Sequence, residues 1–218
     1  AGLPPSLVAT ASKSVVGSPV GSLDEGGLSK NQIGGALKNI TSKAVDSLDQ
    51  IEGISPSDIT SSLKEITSGA TSALDQIEVS DYSASDLGEM VQEISSGATQ
   101  ARGNIQIDGI SSDNLSSMME KVTAGATGAL GQISMEGYSS SNLTTMLSKI
   151  TSGATSALGD IEMEGYSSDN LSLMVEKITA GATSALDEIQ LEGFSSDNLS
   201  SMVQEITSGA TGALDEIE

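Results

Sequence analysis

The stretch "GYSSDNLSLMVEKITAGATSALDEIQLE" (residues 165–192) decides how this chain folds. Its apolar residues Leu171, Met174, Val175, Ile178, Ala182, Ala185, Leu186 and Ile189 stand at offsets 0, 3, 4, 7, 11, 14, 15 and 18. At 100° per residue these positions make one stripe about 120° wide, the pattern of an amphipathic helix. Composition agrees, because Ser, Ala, Leu, Met, Glu and Lys dominate and no β-branched run interrupts them. Ser167 stands where an N-cap belongs, with Asn170 three residues on as a short relative of the capping-box partner. Asp169 adds a negative charge in the first turn, which the helix dipole favours. The apolar Tyr166 just before the cap is placed to staple the turn onto the helix.

The glycine of "TAGATSAL" is the ambiguous point, since Gly and Thr also suit a turn that would split the helix. An earlier, divergent copy has Lys43-Ala44-Val45 where later copies have Gly-Ala-Thr. Lysine tolerates a left-handed turn position poorly, so a single helix of about 20–23 residues, near 30–35 Å long, is expected. Gly69, Gly97, Gly125, Gly153, Gly181 and Gly209 then lie at the edge of the stripe. There a missing side chain lets a neighbouring helix approach, despite a propensity cost of ~1 kcal/mol per glycine.

The unit recurs. Its anchors Ile59, Leu87, Leu115, Leu143, Leu171 and Leu199 follow at a uniform step of 28, and the divergent copy aligns with a shift of 26. Residues 1–26 form a non-repeat N-terminal arm, and residues 27–218 hold seven units starting near 27, 53, 81, 109, 137, 165 and 193. A fixed period of this size marks an array whose neighbours bury each other's apolar faces. Connections of about five residues predict antiparallel successive helices. The expected fold is therefore all-α, an up-down row of seven helices, with a curved solenoid as one form of that row. The alternative is an α/β leucine-rich-repeat-like solenoid. Leu186, Ile189 and Leu191 have its L-x-x-L-x-L spacing, although Phe194 and Ser196 stand where its Asn and following Leu belong.

Composition excludes much chemistry. With no Cys and no His, thiol catalysis, a Ser-His-Asp triad and ordinary zinc sites are ruled out. The 30 acidic residues against 9 basic ones give a formal charge of −21, which repels nucleic acid and anionic lipid. No apolar run approaches the roughly 20 residues of a membrane span. The chain begins at Ala1 and its first methionine is Met90, so a processed, exported product is expected, a piece of a longer chain being the other option. Its expected setting is extracellular or at the cell surface.

Individual site candidates are weighed against capping and solvation. Glu162 with Glu164, or Glu136 with Asp160, would make acid/base pairs, yet each recurs in near-identical copies, unlike the singular site of an enzyme. The connections gather oxygen donors, making Glu164, Asp169, Glu192 and Asp197 weak calcium candidates, although no D-x-D-x-D-G loop is present. Ser55, Ser83, Ser111, Ser139, Ser167 and Ser195 are the expected helix N-caps. Asn39, Asn114, Asn142, Asn170 and Asn198 open N-x-[ST] sequons and are candidate glycosylation sites. Arg102-Gly103 is the one notable break in the pattern and reads as drift.

The functional expectation is a non-enzymatic, exported structural or interaction protein without cofactors. It self-assembles into a filament or surface layer, as a homo-oligomer or polymer, through the arm and the open repeat ends. Leu7, Val8, Val15 and Val16 supply the arm's apolar contacts. The alternatives are a monomeric binding scaffold or adhesin stalk, whose arm caps its own first helix and whose partners are other surface proteins, and a lipid-binding helical protein. The stripe's Ala and Gly content and its lack of Trp argue against the last.

Overall fold

A computed structural model describes residues 5–23, 28–77, 82–104, 111–133, 138–161, 167–189 and 194–217. The chain is all-helical, with no strand among the described residues. Eight α-helices follow in order: α1 (Pro5–Gly21), α2 (Lys30–Asp46), α3 (Pro56–Ser72), α4 (Ala84–Asn104), α5 (Ser112–Leu130), α6 (Ser140–Ser156), α7 (Ser168–Ser184) and α8 (Ser196–Gly212). Seven correspond to the seven sequence units. The eighth, α1, is formed by the arm. Most of the segments that the α/β alternative made into strands, such as residues 190–193, lie outside the described residues.

Helices α3 to α8 each start on a side-chain lock. Ser111 Oγ accepts from the Asn114 N–H at 3.2 Å, while the Ser111 N–H donates to Asn114 Oδ1 at 3.1 Å. The same reciprocal pair joins Ser55 to Asp58, Ser83 to Asp86, Ser139 to Asn142, Ser167 to Asn170 and Ser195 to Asn198. Two orphan donors of each first turn are thereby satisfied. The glycine of the "GAT" segment does not break the helix, as Gly125 and Gly181 lie within α5 and α7. Several helices tighten into a final 3₁₀ turn, among them Ala73–Gln76, Ala157–Asp160 and Ala185–Glu188. An isoleucine follows each, and its N–H bonds the leucine carbonyl three residues back, as Ile77 does to Leu74 at 3.1 Å. Between α2 and α3 the turn needs glycine, because Gly53 has φ 77°.

Packing departs from a simple row of successive neighbours. Each helix packs most extensively on the second helix along the chain, so α1, α3, α5 and α7 form one series and α2, α4, α6 and α8 another. Successive helices touch far less. Helices within a series run with their starts together: Tyr138 Oη donates to the Tyr82 carbonyl at 3.1 Å, and Asn198 Nδ2 to Ser140 Oγ at 3.1 Å.

The recurring glycine explains this preference. A Cβ on Gly97 would sit 2.6 Å from the Lys38 carbonyl oxygen and 3.1 Å from Lys38 Cα, both backbone of α2. Gly69 meets Lys13 in the same way, Gly125 meets Lys64, Gly153 meets Gln92, Gly181 meets Glu120 and Gly209 meets Ser148. In every case the bare glycine lies on the backbone of the helix two before it. Apolar residues from Val16 to Ala210 then close one continuous core between the two series.

Candidate interaction surface at the ends of the two series

Within the molecule, the face that each helix turns to the next member of its series is a four-residue stripe spaced by four. In α3 it is Ile59, Leu63, Thr67 and Thr71, all fully buried. In α6 the equivalent residues Leu143, Leu147, Thr151 and Thr155 are buried under α8. The threonines are small enough for this close approach; the hydroxyls of Thr67 and Thr151 return to their own helix, whereas those of Thr71 and Thr155 are buried without a hydrogen-bond partner among the described residues. Thr67 Oγ1 donates to the Leu63 carbonyl at 2.9 Å, and Thr123 Oγ1 reaches across to the Ile178 carbonyl of α7 at 3.0 Å.

At the carboxy-terminal end the same stripe is open. In α8, Leu199 and Val203 are 38% and 39% exposed, and Thr207 and Thr211 are exposed as well. In α7, Leu171, Thr179 and Thr183 are half-buried. The opposite end is open on its other face. There α1 presents Ala11, Ser18 and Val15, the last 64% exposed, while α2 presents Lys43 and the half-buried Ile40 and Ala44. Between α1 and α2 lies an apolar groove of about 420 Å³, lined by Val15, Val16, Pro19, Ile40 and Ala44 among others.

The charged groups lie mainly on the rims. Lys30 reaches Asp86 at 2.6 Å between α2 and α4, and Lys177 reaches Glu120 at 3.1 Å between α7 and α5. Lys64 meets Glu188 at 3.1 Å. Such partly exposed pairs each contribute about 0–1 kcal/mol. Hydrogen bonds from Lys30 and Ser83 hold the Asp86 carboxyl down at about 2. Burial pushes Glu120 upward, but the hydrogen bonds from Lys177 and Lys121 outweigh it and bring the carboxyl below its ordinary value. Tyr138 is raised, by burial first and then by the nearby Asp86 charge. Lys30 and Asp86 line a polar cleft of about 320 Å³ with Glu89, Glu93 and Lys149. Among the described residues, no three carboxylates converge as a metal site would require.

The residues singled out from sequence fall as follows. Of the calcium candidates, Asp169 and Asp197 are exposed in the first turns of α7 and α8, while Glu164 and Glu192 lie outside the described residues. Glu136 and Glu162 also lie outside them, and Asp160 is exposed at the end of the 3₁₀ turn after α6. The sequon residues Asn114, Asn142, Asn170 and Asn198 accept the N–H of the capping serine, and Asn39 is exposed on α2 beside the groove. Leu7 and Val8 belong to α1, with side chains outside the described set. Val16 is buried and, with Val20, packs α1 into the core, whereas Val15 faces outward. Arg102 occupies the position of the core leucines Leu74 and Leu130; it is 5% exposed and its Nε lies 3.3 Å from Met118 Sδ.

Two features escaped the sequence reading. Open repeat ends were expected, but which residues form the outward stripe was hidden because α8 repeats a pattern that is buried elsewhere. The groove was hidden because the arm was not read as a helix, although Val16 and Val20 stand one helical turn apart. No protein-family model matches the chain, and no curated protein matches it in sequence.

Proposed function

We propose that this chain is a non-enzymatic helical-repeat protein, a two-layer α-solenoid that works by self-association. The single observation that carries this is the stripe Leu199, Val203, Thr207 and Thr211, open on α8 while its counterparts in α3 and α6 are buried. An apolar stripe left in water is an invitation to associate, and α8 keeps on this face the pattern that is buried in α3 and α6. A setting outside the cell or on its surface belongs to the same proposal.

A second reading, a monomeric binding scaffold, draws support from the arm. Val16 and Val20 of α1 are spent on α3 of the same chain, as expected of a segment that caps its own array. Light scattering coupled to size exclusion separates the two readings. Self-association predicts a weight-average mass that climbs above 22.0 kDa with concentration, and a scaffold predicts 22.0 kDa throughout. A constant mass refutes the first reading.

A further inference from the structure

We infer that the polar cleft between α2, α4 and α6 is a binding site for a small α-amino acid with a basic side chain. The site goes beyond self-association and does not depend on it, since none of its residues belongs to the open stripe of α8.

The cleft exists because two units give up a side chain. The position after the apolar anchor carries Thr60, Ser116, Thr144, Ser172 and Ser200 in five units, but Gly34 in α2 and Gly88 in α4. These two helices are consecutive members of one series. A Cβ on Gly34 would lie 3.6 Å from Glu93 Cγ, and one on Gly88 would lie 3.3 Å from Lys149 Cγ. The nearest atom to each is therefore in a charged side chain of the following helix, not in its backbone. That separates them from Gly97 and Gly153, whose missing Cβ lets a helix close on a carbonyl oxygen. The space left is about 320 Å³, at the small end of the ~300–1,000 Å³ typical of small-molecule sites.

The charges around this space also depart from the repeat. Glu89 stands where the other units have Gly35, Ser61, Ser117, Thr145, Leu173 and Ser201. Lys30 stands where they have Pro56, Ala84 or a serine. Lys30 is already engaged, for it reaches Asp86 at 2.6 Å and lies 5.1 Å from the centre of the Tyr82 ring. Glu89, Glu93 and Lys149 also line the cleft, yet among the described residues they make no ion pair and no hydrogen bond.

Two negative charges and one positive charge are thus left to be matched. Glu89 and Glu93 stand one helical turn apart on α4 and share a face. Lys149 adds the opposite charge from α6. A ligand complementary to this set carries two cations and one anion. A basic α-amino acid has that set: its two cationic groups face Glu89 and Glu93, and its carboxylate faces Lys149. The amides of Asn31 and Gln92 add donors and acceptors on the walls. A bare divalent cation fits less well, because Lys149 opposes it and the carboxylates do not converge. Exposed ion pairs are individually weak, so the expected affinity is millimolar and the selectivity rests on the combination.

Saturation-transfer NMR on the full chain tests the site, because it reads the small molecule whatever the size of the assembly. The expected result is saturable transfer to L-lysine, with weaker binding of norleucine, which lacks the side-chain cation, and of cadaverine, which lacks the carboxylate. Lys149→Met should weaken L-lysine binding about threefold to fivefold and leave cadaverine binding no weaker. Glu89→Ser, the residue of other units, should weaken both. Gly88→Thr refills the notch against the flexible stem of Lys149 and should abolish binding, with circular dichroism confirming the fold. Norleucine binding as tightly as L-lysine would overturn the role of the two glutamates. Cadaverine binding as tightly would overturn that of Lys149. No saturable transfer to L-lysine, or transfer unchanged in Gly88→Thr and Glu89→Ser, would overturn the site itself while leaving self-association intact.

Discussion

Replacing Gly97 by alanine tests whether bare glycine on a neighbour's backbone holds the two series together. The new Cβ would lie 2.6 Å from the Lys38 carbonyl oxygen, 3.1 Å from its Cα and 3.2 Å from its carbonyl carbon. All three atoms belong to the backbone of α2, so no side-chain rotation relieves the contact. Restoring an ordinary separation moves α4 away from α2 by roughly 0.7 Å. A gap of that size forfeits about a quarter to a half of each van der Waals contact across the interface. Overpacking of this kind costs about 1–3 kcal/mol, and occasionally more. Alanine returns up to about 1 kcal/mol through its better helix propensity. The net expectation is destabilisation by about 1–2 kcal/mol, read as a fall in Tm of roughly 2–8 °C for a chain of this size. Gly35→Ala in α2 is the control, since nothing lies within 4 Å of its Cβ position. There the propensity gain acts alone and Tm should rise by about 1–4 °C. Thermal unfolding followed by far-ultraviolet circular dichroism gives both values. Equal shifts in the same direction would refute the packing rationale.

Three further outcomes follow from the same geometry. Leu63→Ala removes a fully buried member of the α3 stripe and should cost about 2–4 kcal/mol in urea unfolding, while Val203→Ala at the equivalent α8 position should cost less than about 1 kcal/mol; similar costs would mean that the α8 stripe is not open in the single chain. Ser167→Ala removes the acceptor for the Asn170 N–H and should cost about 1 kcal/mol, with faster amide exchange confined to the start of α7; uniform change across the chain would contradict a capping role. Asp86, held at about 2 against about 3.9 when unfolded, lends stability that is complete above about pH 5 and is lost as pH falls toward 2; Asp86→Asn should flatten that part of the acid unfolding curve, and parallel curves would contradict it.

Much of this fold was legible in the residues. The stripe from Leu171 to Ile189 requires a helix, and Lys43 in place of glycine argues against a break in the middle. The choice of neighbour was not legible. Near-identical units look the same whether helix n meets helix n+1 or n+2, and the glycine at the edge of the stripe marks a close approach without naming what approaches. The helix of the arm was not legible for a physical reason. Gly17, Pro19 and the serines give it the composition of a linker, but Val16 and Val20 find a ready-made surface on α3, and tertiary burial outweighs weak intrinsic propensity. The end surfaces are emergent in the same sense. Leu199 and Val203 are ordinary core residues by pattern, yet no element among the described residues covers them.

Sedimentation velocity of the full chain across a wide concentration range tests the central claim most directly. The account predicts species at multiples of 22.0 kDa that grow with concentration, and a return to a single 22.0 kDa boundary in a Val15→Glu/Val203→Glu variant that keeps its helicity. A wild-type chain that sediments as one 22.0 kDa species at every concentration would contradict it.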